Sequence, residues 1–494
     1  MIFRLVAPAS LLKVYKASKL QTIRRPLFLP LYLGTGYSIL SQVAAFSTMP
    51  SPPYQYRSVD TPTFDLSGLE ANINDGESKR QSAFDISRKI HAQFVKTRSD
   101  MELESSSTEN TFGILTEVSK TLEEAVGNSG SNDRTPREAN LSNRVEEYTR
   151  LLSFNHFLAT GTLIAPSDCG SFVTDEEYLA GACMGLCQDV ARYAIGRATA
   201  RDLASVKLSR DLIQDILDYL LKFDFRNGYL RRKYDGTKYA LKSVETLLYE
   251  LSVTGAADTE EPDAKRAKSS TLSDPDQLEE IRKRVEHRDE LREELIKKSR
   301  DGQKAAKQAI YALHRGDTAK AQRLLQECQD CINNDLMPIV KEEPPLRSGS
   351  CSNVLEEFAE AKLFYVWLLG KEATPSETCT GILLKPDEFG IDLEPEEYLG
   401  GLCDLTGEIG RYAVQRGTAR DFDGVKRCLE ANYAILLAIQ MLERFPSGIG
   451  KKMDQLRRSV EKLERMIYEL SLSEATGRKV ASETVESTET PQDE

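Results

Sequence analysis

"EEYLAGACMGLCQDVARYAIGRATARD" occupies residues 176–202, and "EEYLGGLCDLTGEIGRYAVQRGTARD" occupies residues 396–421. The two stretches share Glu-Glu-Tyr-Leu, Arg-Tyr-Ala and the closing Thr-Ala-Arg-Asp at a nearly constant offset. The chain repeats itself again further on, with "LLYELS" ending at Ser252 and "MIYELS" at Ser471. A period this long exceeds any solenoid unit, so the simplest reading is two homologous domains in tandem. One residue breaks the match: from Tyr178 to Arg192 the first copy is one residue longer than the second from Tyr398 to Arg411, which suggests a bulge in a helix.

Apolar residues recur at three- and four-residue steps through both halves. The windows 139–160, 174–199, 203–224 and 228–252 read as helices, as do their counterparts after residue 317. "IRKRVEHRDELREELIKKSRDGQKAAKQAIYALHRGD", from Ile281, reads as one long amphipathic helix ending near Gly316. Runs of alternating β-branched residues are missing, so the expected fold is all-α, a pair of tandem multi-helix bundles. The expected domains are residues 80–255 and 278–475. They are joined by a small, polar, proline-containing linker at 256–277, preceded by a disordered lead-in at 49–79 and followed by a disordered acidic tail at 476–494. Lys265-Arg266-Ala267-Lys268 in the linker reads as a solvated basic cluster or as a nuclear signal.

With 494 residues and 40% apolar content the chain is long enough for two cores. A net charge of -12 argues against coating of nucleic acid by the whole surface but leaves room for a local basic groove. Several of the nine cysteines (Cys183, Cys187, Cys403, Cys428) sit inside apolar helical runs, as reduced core cysteines do. Cys328 and Cys331 form a lone CxxC, a poor zinc site without a second pair or nearby histidines. Before Asp60 there is no acid, while Arg4, Lys13, Lys16, Lys19, Arg24 and Arg25 are spread among apolar and hydroxyl residues. That composition points to a mitochondrial transit peptide over 1–48. The alternatives are a working start at Met49, with a cytoplasmic and nuclear protein, or a membrane span over 26–46, which Pro30, Gly34 and Gly36 weaken. No stable membrane partner is expected.

The residues that carry chemistry are acids. Glu357 and Glu360, three apart in "VLEEFAEAKLFYVWLLG", share one helix surface at the mouth of a segment, Leu363 through Leu369, that is apolar on every side. Asp404 and Glu408 repeat the geometry at a spacing of four, flanked by Leu402, Cys403, Leu405 and Ile409. Burying unpaired carboxylates costs several kcal/mol. These four acids therefore either hold a hard divalent cation, Mg²⁺ or Mn²⁺, or pair with Arg411 or a lysine to fix helix packing. In the first half the matching places read Glu147, Arg150, Met184 or Gly185, and Asp189. An arginine among them would repel a divalent ion.

At these residues the chain resembles the translin superfamily. "EEFAEAKLFYVWL" and "YLGGLCDLTGEIGRYAVQRGTARD" resemble translin-associated factor X. "GYLRRKYDGTKYALKSVETLLYELS" resembles the C-terminal helix of translin, while "SFNHFLATGTLI" in the first half is more similar to factor X. The resemblance implies an all-α subunit that assembles, with itself or with other translin-family subunits, into a closed oligomer binding single-stranded RNA and DNA. It also implies a Mg²⁺-dependent endoribonuclease acting in small-RNA silencing or tRNA fragment processing. Glu357, Glu360, Asp404 and Glu408 would be its catalytic and metal-holding acids, and the first half a non-catalytic scaffold. The alternative within this resemblance is a non-catalytic single-strand-binding scaffold, and outside it a helical scaffold with no nucleic acid. For strand binding, "LRRKYDGTKY" sets Arg231, Arg232, Lys233 and Lys238 beside Tyr234 and Tyr239, a cation-and-ring pattern that could equally be a solvated basic face. The stretch before Glu147 offers only Arg134, Arg137 and Arg144 and no aromatics that match translin's nucleic-acid contacts.

Overall fold

The computed structural model describes residues 66–102, 107–127, 133–226, 228–253, 271–370, 382–446 and 448–475. The transit-like segment, the basic cluster at 265–268 and the acidic tail lie outside these residues. The described residues are helical apart from loops and a single isolated bridge, Leu163 with Leu272, as the spacing predicts. None of their helices is long and apolar enough to cross a membrane.

The first half comprises α1 (Ser67–Glu102), α2 (Thr108–Val126), α3 (Ser142–Thr160), α4 (Asp175–Tyr178), α5 (Leu186–Thr199), α6 (Leu203–Leu220) and α7 (Tyr229–Val253). A π turn, Leu179–Gly185, links α4 to α5. The second half repeats the order with α8 (Pro275–His314), α9 (Thr318–Cys331), α10 (Met337–Glu342), α11 (Ser350–Leu369), α12 (Pro395–Thr418), α13 (Phe422–Gln440) and α14 (Ile449–Ala475). In it α12 runs unbroken where the first half has helix, π turn and helix. The extra residue between Tyr178 and Arg192 is therefore absorbed as a π-bulge, the usual outcome of a one-residue insertion in a helix.

The repeated sequence landmarks are structural devices. Tyr178 and Tyr398 are buried and donate their hydroxyls to Ile164 O and Leu384 O, each at 2.8 Å. In each Thr-Ala-Arg-Asp the arginine, Arg201 or Arg420, has a left-handed φ of about 60° that ends one helix. The aspartate then caps the next: Asp202 accepts from Ser205 N at 3.1 Å and Asp421 from Gly424 N at 2.8 Å. The second residue of each Glu-Glu pair is buried against an arginine. Glu177 pairs with Arg137, and Glu397 accepts from Arg347 at 2.7 Å.

The two halves exchange their leading turns. Leu66, Leu69 and Ile73 at the start of α1 belong to the core of the second half, while Leu278 and Ile281 at the start of α8 belong to the core of the first. Buried Tyr219 donates to Leu278 O at 2.8 Å. Matching ion pairs flank the crossing, Arg80 with Glu396 at 3.4 Å and Arg288 with Glu176 at 3.0 Å. The expected boundaries at 80 and 278 therefore change. The helix begins at Ser67, inside the expected lead-in, and α8 begins inside the expected linker, because each leading segment buries its apolar residues in the opposite half. Ile281→Ala, though carried by the second repeat, should cost about 2–4 kcal/mol. In hydrogen exchange the loss of protection should appear in α5 and α6. Loss confined to α9 and α11 would contradict the exchange.

Candidate functional site

Two helices build the site, α11 and α12, and glycine lets them meet. A Cβ on Gly401 would lie 2.7 Å from Glu356 O and 2.9 Å from Glu360 N, so only glycine permits this approach. Gly181 occupies the same place in the first half, against Thr149 and Glu146 O. This contact sets the acids of α11 beside those of α12.

Glu360 lies at the centre, buried, with no hydrogen bond or ion pair among the described residues. Burial chiefly, with Asp404, Glu408 and Glu357 adding to it, pushes its carboxyl up to about 8, while Lys452 pulls the other way. The three acids that act on Glu360 each have a cation. Asp404 meets Lys452 Nζ at 2.6 Å, Glu357 meets Lys307 at 3.1 Å, and Glu408 meets His314 Nε2 at 2.6 Å and Arg411 at 2.8 Å. The His314 ring lies 4.9 Å from Phe364, and its Nδ1 is buried without a hydrogen-bond partner among the described residues. The four predicted acids thus lie near one another, with the other three acting on Glu360.

A fifth acid, Glu356, also pairs with Lys452. Burial, the largest effect, raises its carboxyl, as does Asp404 beside it, against the pull of Lys452. Burial alone would lower the Lys452 ammonium, but its hydrogen bonds to Asp404 and Glu356 raise it. Sequence reasoning missed Glu356 and Lys452, although the repeat carries a signal for them, since Glu146 pairs with Lys233 at the same places of the first half. Among the described residues no three acidic, histidine or cysteine side chains converge closely enough to hold a metal ion. The donor set nonetheless has the chemistry of a hard-cation site: oxygen ligands in excess around a buried carboxyl that lacks a cation of its own.

The first half lacks this arrangement. At the last residue of the π turn Gly185 stands where Asp404 does, and the Arg150 side chain lies over it, 2.8 Å from where a Cβ would be. Arg150, in the place of Glu360, grips buried Asp189, the counterpart of Glu408, with Nε–Oδ2 at 2.6 Å. An internal ion pair fills the space that the acids occupy in the other half.

The predicted strand-binding residues separate. Tyr234 is buried, 5.4 Å from Phe225, and both Arg231 and Lys238 lie against its ring at 5.6 and 4.5 Å. It cannot stack a base, because its position on α7 points inward, as Met453 does on α14. Lys233 is occupied by Glu146, and Arg231 and Lys238 approach Asp235 at 3.5 and 3.8 Å, leaving Arg232 and Tyr239 as the more open members of the set. Arg134, Arg137 and Arg144 are ion-paired with Glu394, Glu177 and Glu147. The CxxC is structural. Cys328 donates to Gly302 O at 3.2 Å, and burial pushes its thiol up to about 12.

Between about pH 4.5 and 8 the folded protein holds a proton at Glu360 that the unfolded chain has released, so this group's contribution to stability falls as pH rises through that window. In chelator, Glu360→Gln should leave the melting temperature near its starting value at pH 5. At pH 9 it should stabilise by an amount on the order of 2–4 kcal/mol relative to the parent. Equal differences at both pH values would mean that Glu360 is not held in an acidic, desolvated pocket.

A profile of the Translin family matches residues 77–255 and again residues 290–474. The Translin-associated protein X homolog of Schizosaccharomyces pombe is 25% identical over 201 residues, covering 38% of this chain and 84% of that protein. Translin of Homo sapiens is 31% identical over 121 residues, covering 24% of this chain and 53% of that protein, and translin of Gallus gallus is 30% identical over 117 residues, covering 21% and 51%. The chain thus spans about half the length of the translins that it matches. A solved structure described as an AfC3PO–duplex RNA complex is 25% identical, covering 40% of this chain and 98% of that chain with a TM-score of 0.35. With two matched segments that together span most of its length, the chain belongs to the Translin family and carries the family's domain twice.

Proposed function

We propose that this chain is a nucleic-acid-binding translin-type protein that takes single-stranded RNA and DNA, and that its second half is a Mg²⁺- or Mn²⁺-dependent endoribonuclease. The observation that carries the catalytic part is the buried Glu360 carboxyl, surrounded by Asp404, Glu408 and Glu357 and without a cation of its own. Glu357, Glu360, Asp404 and Glu408 would hold the ion. When bound, such an ion neutralises charge on a phosphodiester and makes a coordinated water more acidic. Lys452 holds Asp404 in place and balances its charge, and His314 orients Glu408 through the 2.6 Å bond. The first half, with Arg150 on Asp189, serves as scaffold. Assembly with itself or with other translin-family subunits, and a setting in small-RNA silencing or tRNA fragment processing, belong to the same reading.

A second reading rests on the ion pairs of Asp404, Glu408 and Glu357, each with a cation at 3.1 Å or less: the acids fix the fold, and the protein binds strands without cutting them. Incubating the full chain with labelled single-stranded RNA, in Mg²⁺ or in chelator, separates the two. The nuclease reading expects Mg²⁺-dependent cutting that Asp404→Asn lowers by at least about 100-fold, with binding in chelator unchanged. Binding without cutting by the parent chain, together with a lowered melting temperature for Asp404→Asn, would overturn the nuclease reading in favour of the second.

A further inference from the structure

Helix α8 carries a cationic stripe of which the acidic site uses only Lys307. Lys297, Arg300, Lys304, Lys307, Tyr311 and Arg315 follow at steps of three and four, so they share one face of the helix, and all six are exposed. At 1.5 Å per residue the stripe is about 27 Å long, enough for several nucleotides of an extended strand. Lys297, Arg300 and Lys304 make no ion pair among the described residues, unlike Arg282, Arg284 and Arg288 earlier on the same helix. This face is open to solvent, with only a shallow depression of about 400 Å³ between the side chains of Arg300, Gln303, Lys304, Lys307, Gln308 and Tyr311.

Two features orient the stripe. Lys307 pairs with Glu357 at 3.1 Å, so the stripe borders the acidic pocket. Tyr311 is 62% exposed, and the Arg315 guanidinium lies 5.6 Å from its ring centre and donates to its hydroxyl at 3.0 Å, a ring open on its outer side and braced by a cation. Exposed cations interleaved with an open ring are the means by which proteins hold single strands without reading their sequence. A cluster of carboxylates would repel phosphates, and cations at its rim offset that repulsion.

The repeat supplies a control. Ile73 and Ile281, and Arg80 and Arg288, fix the register between α1 and α8. In that register the first half reads Lys89, Ala92, Lys96 and Ser99 where the second reads Lys297, Arg300, Lys304 and Lys307. The continuous stripe belongs to the half that has the acids.

We propose that this face of α8 is the track on which a single-stranded nucleic acid lies as it enters the acidic pocket, its phosphates on Lys297, Arg300, Lys304 and Lys307 and a base on Tyr311. The proposal rests on the strand-binding part of the function proposed above and not on cleavage.

The test is fluorescence anisotropy of a labelled, unstructured twelve-nucleotide single strand with the full chain in chelator, over a range of salt concentrations. An Arg300→Glu/Lys304→Glu double variant should bind at least about ten-fold more weakly, with a salt dependence shallower by roughly 1.4, the loss of two phosphate contacts on a single strand. Tyr311→Ala should weaken binding several-fold without changing the salt dependence. An Arg458→Glu/Lys462→Glu variant on the exposed side of α14 should bind like the parent, and all variants should keep the parent's melting temperature. Parental binding by the α8 double variant, or an equal loss in the α14 variant, would overturn the α8 track and leave strand binding standing. Failure of the parent chain to bind any single strand would overturn both.

Discussion

The contact on which the molecule depends is the close crossing of α12 over α11 at Gly401, repeated by the first half at Gly181. A methyl group at Gly401 would fall within 3 Å of the facing backbone, so glycine here is a requirement of distance. The closeness brings two rows of side chains, one from each helix, into a single pocket. The residue types that occupy those rows must then accommodate one another, most of all at buried Glu360 and Asp189.

The two halves answer this demand differently. In the first, Arg150 and Asp189 neutralise each other over the smooth surface of Gly185. In the second, the arginine is replaced by Glu360 and the glycine by Asp404, and the pocket becomes acidic beyond what its neighbouring cations balance. Both halves keep the glutamate–lysine pair, Glu146 with Lys233 and Glu356 with Lys452, which marks it as part of the shared scaffold. Lys452 differs from Lys233 in one respect: it also holds Asp404, and so ties the scaffold to the acids peculiar to its half.

The exchange of leading turns makes the tandem repeat one folding unit. Each long helix, α1 and α8, spends its first turns in the opposite core and the rest in its own, and the arginine–glutamate pairs at the crossing repeat the same reciprocal arrangement. Folding one half without the other would leave Ile73 or Ile281 without its pocket, an apolar loss that flanking surface ion pairs would not offset.

The helical period, the duplication, the pairing of Glu357 with Glu360 and of Asp404 with Glu408, and the inability of the first half to match them were legible in the sequence, because they depend on residue type and spacing along one helix. The extra residue after Tyr178 was legible as a bulge, but whether Met184 or Gly185 stood opposite Asp404 was decided by where the π turn closes. Tertiary structure alone decided what spacing cannot express. Tyr234 faces the core beside Phe225, Glu356 shares Lys452 with Asp404, His314 from a helix 94 residues earlier meets Glu408, and the first turns of α1 lie in the far core. A sequence records which residues can share a helix face; which face meets which neighbour is settled by packing between segments distant in the chain.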